Sequence, residues 1–416
     1  MRSFVLATVA GAIVFSSASV ALGNGRYPAA NQLAFSPSDP ELAVLRTTFG
    51  ILVSHDAGAT WHWLCEDVVG VLSSSISDPV LALTDTSIVA APGTIDGLAV
   101  SSDSGCDWNR SSGPLSGALV KDLVVRPGVP DDVMALTSTY ATVAGADGGP
   151  AYLQQVYESN DDGTDWSVLG SPIDPTALVT SIELAASAPS RLYVSAVRGA
   201  NATRSASLFV SMDSGATWSE RPVPIDPTAE SEIFIGAVDP ANADRVYVRT
   251  LGQPSRLLVS SDAGQTYQSA LSLSGQMLGF ALSEDGATIY AGSVEDGLFA
   301  GARDSLAFQH VSTVHVQCLA THGADVWACS DVPSGFIAGM SSDDGATFTA
   351  KAQLVAQPLV ACPSGSSAAV QCSGAPWQML CATLPGCPSE NGGTAPANDG
   401  APESAPSSSG RAHGCA

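Results

Sequence analysis

Serine, aspartate and threonine recur in a fixed order along this chain, and that order is the first place to look for chemistry. The string Ser211-Met212-Asp213-Ser214-Gly215-Ala216-Thr217-Trp218 has a second full copy in Ser54-His55-Asp56-Ala57-Gly58-Ala59-Thr60-Trp61. Windows starting at Ser101, Ser159, Ser260 and Ser341 keep the pattern, with Asp107, Asp165, Tyr267 and Phe348 as the main departures. The residue types suit a turn better than a reaction. Asp and Thr side chains bond backbone amides across a tight turn, Gly permits the positive φ such a turn demands, and Trp packs between neighbouring sheets.

The strings return about every fifty residues, the period of a repeat architecture with a four-stranded unit. Between them lies a second repeat, a Pro/Asp/Gly-rich turn followed by a short apolar or alternating run. Its seven copies are the runs starting at Leu42, Ile88, Val133, Leu192, Val246, Ile289 and Val326. Further apolar runs such as Leu33-Ala34-Phe35, Leu123-Val124-Val125 and Ile233-Phe234-Ile235 precede most of them. Each unit therefore reads strand, turn, strand, loop, strand, string, strand, which is a propeller blade. One unit lacks a plain string, and residues 301–308 stand there as a decayed copy that keeps its terminal aromatic, Phe308. The hexapeptide Pro172-Ile173-Asp174-Pro175-Thr176-Ala177 returns as Pro224-Ile225-Asp226-Pro227-Thr228-Ala229, in register with the strings at Ser159 and Ser211. Helical periodicity is confined to the leader and a short stretch from Pro376 to Leu384. The expected fold is all-β, a seven-bladed β-propeller whose first strands line a central channel.

The string closely resembles the Asp-box, or BNR repeat, of sialidases, sortilin-type receptors, some glycoside hydrolases and the photosystem II assembly factor family. The resemblance covers roughly residues 28 to 355. In those families the box sits on the turn between third and fourth strands, away from the active face. It implies a structural role for Asp56, Asp103, Asp161, Asp213, Asp262 and Asp343.

Catalytic frameworks are weakly represented. A sialidase clamps a carboxylate with three arginines, but the Phe/Tyr-Arg-Ile-Pro motif is missing and Arg46 is the only arginine of the first blade. Arg126, Arg198, Arg245, Arg249 and Arg256 have no matching context. Forty acidic residues make chance carboxylate pairs uninformative as a glycosidase signal. His310, His315 and His322 lack any metal-ligand framework, and the acidic run from Asn160 to Asp165 lacks the spaced ligands of a calcium loop. No metal, cofactor or catalytic residue is assigned.

Loop length gives the best positive clue. From second strand to string the spacing is longest in the third unit, Val133 to Ser159, and next longest in the fourth, Leu192 to Ser211. Loops between second and third strands emerge opposite the string turns, so both insertions should rise side by side. They carry Tyr140, Asp147, Tyr152, Tyr157, Arg198, Asn201 and Arg204, a mix suited to a ligand or protein surface.

Sixteen basic residues against forty acidic ones give a formal charge of −24, with Lys121 and Lys351 the only lysines. Nucleic acid and anionic membrane are poor partners for such a surface. The start has the form of a secretory signal peptide: Arg2, an apolar run from Phe4 to Phe15, and a small-residue exit at Gly23, with Ala18 as a second cleavage choice. Nine cysteines fit an oxidising, exported setting, whether periplasm, cell surface or medium. Cys318 should face Cys329 across a hairpin at residues 322–325, and Cys362, Cys372, Cys381 and Cys387 should staple the C-terminal segment. Cys65 and Cys106 are a further candidate pair, and Cys415 is the leftover.

The expected organisation is a signal peptide (1–23), a propeller (24–354), a cysteine-rich closing segment (355–388) and a disordered tail (389–416). A monomer that binds a protein or glycan through its loop face, without catalysis, is the first functional expectation. A glycan-active hydrolase on the same fold is the alternative.

Overall fold

Seven four-stranded antiparallel sheets stand in a ring, each a simple up-and-down meander, in a computed structural model that describes residues 28–71, 78–94, 97–111, 113–140 and 152–387. The signal peptide, the tail, Asp147 and Cys415 lie outside the described residues. The blades span residues 30–64, 80–110, 119–173, 178–223, 230–273, 279–312 and 318–352. All seven apolar runs form the second strands, and their near-continuous apolar character follows from burial against both neighbouring blades. The chain is a seven-bladed β-propeller.

Each string closes the turn between third and fourth strands. In blade 5 the Ser260 hydroxyl donates to Asp262 Oδ1 at 2.8 Å and accepts from the Gly264 amide at 2.7 Å. Asp262 in turn accepts from the Thr266 amide at 2.8 Å and its hydroxyl at 2.6 Å. The same Ser–Asp bond occurs at Asp56, Asp103, Asp161, Asp213 and Asp343. Ala263 and Gly264 both hold positive φ, 58° and 89°, which is why a glycine is needed at the second position. In blade 6 the decayed string still closes a turn, from Gly301 to Phe308, without the Asp–Thr bonds.

Polar side chains tie the inner strands into a ring. Gln32 reaches from blade 1 to the Leu81 backbone of blade 2, donating and accepting at 2.8 and 3.1 Å. Thr180 and Ser181 of blade 4 bond the Ile233 carbonyl and the Ile235 amide of blade 5.

Blade 1 draws all four strands from one stretch of chain, so no strand is exchanged between the termini. The segment after blade 7 closes the ring instead. Leu359 forms a parallel bridge to Trp63 on the outer edge of blade 1, the Trp63 amide donates to the Pro358 carbonyl, and Val360 donates to the Trp63 carbonyl. Two helices follow, α1 (Ser367–Gln371) and α2 (Ala375–Thr383), the latter within a residue of the stretch expected from the sequence. Their Ala368, Cys372 and Leu380 join Trp63, Leu64 and Val69 in one buried cluster.

Four disulfides join the described cysteines. Cys318 bonds Cys329 across the blade 7 hairpin, as the register of Cys318 opposite Cys329 requires. Cys65 and Cys106 do not pair with each other: Cys65 bonds Cys372 and Cys106 bonds Cys362. The reason is that the closing segment lies across the outer side of blades 1 and 2 and reaches both cysteines. Cys381 bonds Cys387 at the end of α2. Such bonds persist in an oxidising environment. Among the described residues, no helix is long and apolar enough to cross a membrane.

Candidate functional site: the loop face of blades 3 to 5

The second and third strands of blade 3, Val133–Tyr140 and Tyr152–Ser159, run eight residues each and carry their hairpin beyond the inner strand, which stops at Leu119 opposite Ser138. In the last described pair of these strands Tyr140 faces Tyr152 edge to face, ring centroids 5.6 Å apart at 83°. Tyr140 is 70% exposed; Leu153 and Leu178 are also exposed, Leu153 on the opposite face of the strand from Tyr152. Three elements hold this patch. The Tyr152 amide donates to the Pro175 carbonyl, Gln154 Nε2 donates to the Ala177 carbonyl at 2.6 Å, and Leu178 follows directly. Tyr157 belongs elsewhere: it is buried between blades 2 and 3 with Val89 and Trp166, because its position on the strand turns it toward the core.

Arg198, at the end of the second strand of blade 4, forms an ion pair with Glu220, sits 3.2 Å from Asp174 and donates to Thr176 Oγ1 at 2.9 Å. Its planar fork spends its donors locally, so it stiffens the loop more than it offers charge to a partner. Asn201 starts an exposed 3-10 turn, Asn201–Thr203, with φ of 51°. Arg204 donates to the Pro227 and Glu230 carbonyls of blade 5. The two insertions are thus joined through the Pro172–Ala177 loop.

The two copies of the hexapeptide form the same turn. Asp174 Oδ1 accepts from the amide and hydroxyl of Thr176, and Asp226 Oδ1 does the same with Thr228. These bonds hold both carboxyls below the ordinary aspartate range. Their surroundings differ. At the second copy a cavity of about 460 Å3 opens, lined by Pro224, Ile225, Asp226, Glu230, Pro254 and Arg256. Glu230 is 2% exposed and fully engaged: Arg256 donates to both its oxygens at 2.7 and 2.6 Å, and Thr250 Oγ1 donates at 2.7 Å. These bonds hold its carboxyl low despite burial. The repeat of the hexapeptide was the signal for this place, but the sequence alone gave it only as a mark of register.

Ionisable groups also line the channel. Asp122 on the inner strand of blade 3 accepts from the Leu123 and Ile182 amides, both at 2.9 Å. Burial raises its carboxyl to about 6, against the pull of Arg249 and Arg46. Glu183 on the next inner strand is pushed to about 8 by burial and by the Asp122 charge. Arg46 and Arg249 hold equivalent positions in the second strands of blades 1 and 5, and each reaches a carbonyl before the next inner strand, Pro79 and Met277 respectively. Burial lowers Arg249 to about 10. An acidic residue on an inner strand was the available signal for Asp122 and Glu183.

A further cavity of about 460 Å3 opens at the string end of the channel, walled by Phe35, Pro37, Leu83, Val125 and Pro127. His315 Nδ1 lies 3.0 Å from Asp331, while His322 stacks on Phe35 at 4.4 Å, so both have structural partners. Among the described residues no three His, Cys, Asp or Glu side chains are grouped to hold a metal ion.

No family model matches the chain, and no curated protein matches it. Solved structures do. An ancestral GH74 enzyme is similar at 15% identity and a TM-score of 0.51 over 79% of this chain, which spans 45% of that enzyme's length. A Kuenenia stuttgartiensis hydrazine synthase chain is similar at 10% identity and a TM-score of 0.50, covering 80% of this chain and 99% of that one. YCF48 from Cyanidioschyzon merolae aligns at 13% identity over 73% of this chain and 93% of its own, with a TM-score of 0.47. The likeness is one of fold. Proteins named for different activities share it, and a fold of this kind leaves function to the loops.

Proposed function

We propose that this chain is an exported binding propeller of the Asp-box type that takes a protein or glycan partner on the loop face of blades 3 to 5. In this reading a leader (1–23) precedes the ring (24–354), a closing segment (355–388) fastens it, and a tail (389–416) follows. The observation that carries the reading is the Tyr140–Tyr152 edge-to-face pair on the long strands of blade 3, with Tyr140 exposed and Tyr152 half-buried. Rigid aromatic groups on a fixed scaffold contribute contact area at low entropic cost, and buried aromatic anchors dominate interface energetics. Arg198 and Arg204 support it by fixing the neighbouring loops.

The test is a glycan array and a binding screen against candidate secreted proteins, run with the mature chain and with Tyr140→Ala/Tyr152→Ala. Loss of binding in the double variant, with unchanged thermal stability, is the expected result. Equal binding by both proteins overturns the assignment of the patch.

One observation favours the alternative, a glycan-active hydrolase. Asp122 and Glu183 are carboxyls on adjacent inner strands whose affinities for protons are pushed apart, the condition for an acid and a base in one site. Against it, both Asp122 oxygens already accept backbone amides. Turnover of glycans that disappears in Glu183→Gln would establish the hydrolase and sink the binding-only reading.

A further inference from the structure

The hexapeptide turn occurs twice, and only the partners of its aspartate differ. At the first copy Arg198 Nη2 lies 3.2 Å from Asp174 Oδ2, so both carboxylate oxygens are engaged. At the second, Thr228 uses Asp226 Oδ1 alone, and Asp226 Oδ2 has no hydrogen bond among the described residues while the carboxyl lines the 460 Å3 cavity. Opposite stands Arg256, fixed by Glu230 through Nε and Nη2, with Nη1 carrying no hydrogen bond among the described residues. Pro224, Ile225 and Pro254 supply apolar walls. The cavity's size is that of a small-molecule pocket, which runs roughly 300–1,000 Å3.

The charges select the ligand. Arg256 is positive, while Glu230 and Asp226 are negative, so the wall carries one net negative charge. The whole chain carries −24. The net charge of the wall and of the whole chain therefore disfavours carboxylate, sulfate and phosphate groups. A ligand that fits must present groups able to donate to Asp226 Oδ2 and accept from Arg256 Nη1, together with a C–H face for the proline and isoleucine walls. Hydroxyls on a saturated ring do both. We infer that the cavity between Asp226 and Arg256 is a subsite for a neutral sugar residue of a glycan, resting on the loop-face binding reading and placing the glycan at the blade 4–blade 5 junction.

The full exported chain is titrated by calorimetry with neutral gluco-, manno- and galacto-oligosaccharides. Uronic-acid and sialylated oligosaccharides and a lysine-rich peptide are titrated in parallel. A neutral oligosaccharide should bind, and Asp226→Asn should weaken it about tenfold or more, the scale of losing a hydrogen bond to a charged group. Asp226→Asn keeps an oxygen for Thr228 and so keeps the turn. Asp174→Asn is the matched control and should leave affinity within about twofold. Arg256 is not varied, since its loss would strand the buried Glu230 carboxylate. Unchanged affinity in Asp226→Asn overturns the inference, as does preferential binding of the acidic glycans or the peptide. If Tyr140→Ala then still abolishes binding, the loop-face reading survives without this subsite. If no probe binds and no secreted partner is found, both fall.

Discussion

Cys65, at the end of the outer strand of blade 1, is bonded to Cys372 at the end of α1, 307 residues further along the chain. Cys106 in the string of blade 2 is bonded in the same way to Cys362. Both bonds cross the seam where a propeller must be fastened, and they do so outside the blades. A link across so long a loop removes much unfolded-state entropy, about 5 kcal/mol in the chain-entropy model and less wherever the native geometry resists. Cys106→Ser/Cys362→Ser should therefore lose roughly 2–5 kcal/mol. Urea unfolding measures it, and a smaller loss than for Cys381→Ser/Cys387→Ser would show that the seam does not depend on the bond.

Stability should depend on pH from two directions. Glu183 binds its proton more tightly in the folded ring than in the unfolded chain, where a glutamate titrates near 4.5. Its contribution is complete below that value and lost as pH rises through about 8; Asp122 behaves likewise up to about 6. Asp56, Asp262 and Asp343 run the other way. Hydrogen bonds from their own turns lower them from 3.8 to about 2, so their contribution is present above 3.8 and disappears toward 2. Maximum stability from these groups is expected near pH 4, and Glu183→Gln should flatten the alkaline side. A thermal scan in which the variant and the parent fall equally from pH 6 to 9 contradicts this.

The turn chemistry can be tested at the serine instead of the exposed aspartate. Ser260 is fully buried, and its hydroxyl serves both Asp262 and the Gly264 amide. Ser260→Ala should cost about 1–3 kcal/mol, the penalty of a buried amide left without an acceptor. The decayed turn of blade 6 is the internal comparison: Ser305→Ala, on an exposed serine there, should change the denaturation midpoint hardly at all.

Blade count, strand order and the turn strings were legible in the sequence because each blade repeats the same local problem. A strand buried on two faces must be apolar, and a tight turn must have its Asp and Gly. The Cys318–Cys329 bond was legible for the same reason, being a hairpin neighbour. The closing segment was not, since Cys65 and Cys372 meet through packing of a helix on blade 1 and no local rule encodes that. Tyr157 misled because loop length marks a region without saying which side of a strand a residue faces. Asp226 and Arg256 were invisible as a site because the cavity forms where the linker before blade 5 folds against a turn some thirty residues later, and spacing does not encode that contact.

Contacts between blades can be probed at a single atom. Gly170, with φ of 66°, lies on the outer strand of blade 3 against the string of blade 4, and an added Cβ would stand 2.0 Å from the Gly215 carbonyl oxygen. Backbone cannot yield as a side-chain tip can. Gly170→Ala should cost about 2 kcal/mol or more, whereas Gly128→Ala, in open space at the same sign of φ, should show only the backbone strain of about 1 kcal/mol. Equal losses in chemical denaturation would dismiss the contact.

Because every blade is made from consecutive residues and the clasp comes last, the ring also has a built-in order of events in time. Each meander can form as it leaves the ribosome, burying one face and waiting for the next. The covalent clasp cannot form until residues 362 and 372 have arrived and met an oxidant. A chain stopped after blade 7 would still pack Phe35 of blade 1 on Trp327 of blade 7 but would lack both bonds, so the covalent clasp is added last to a ring already in contact.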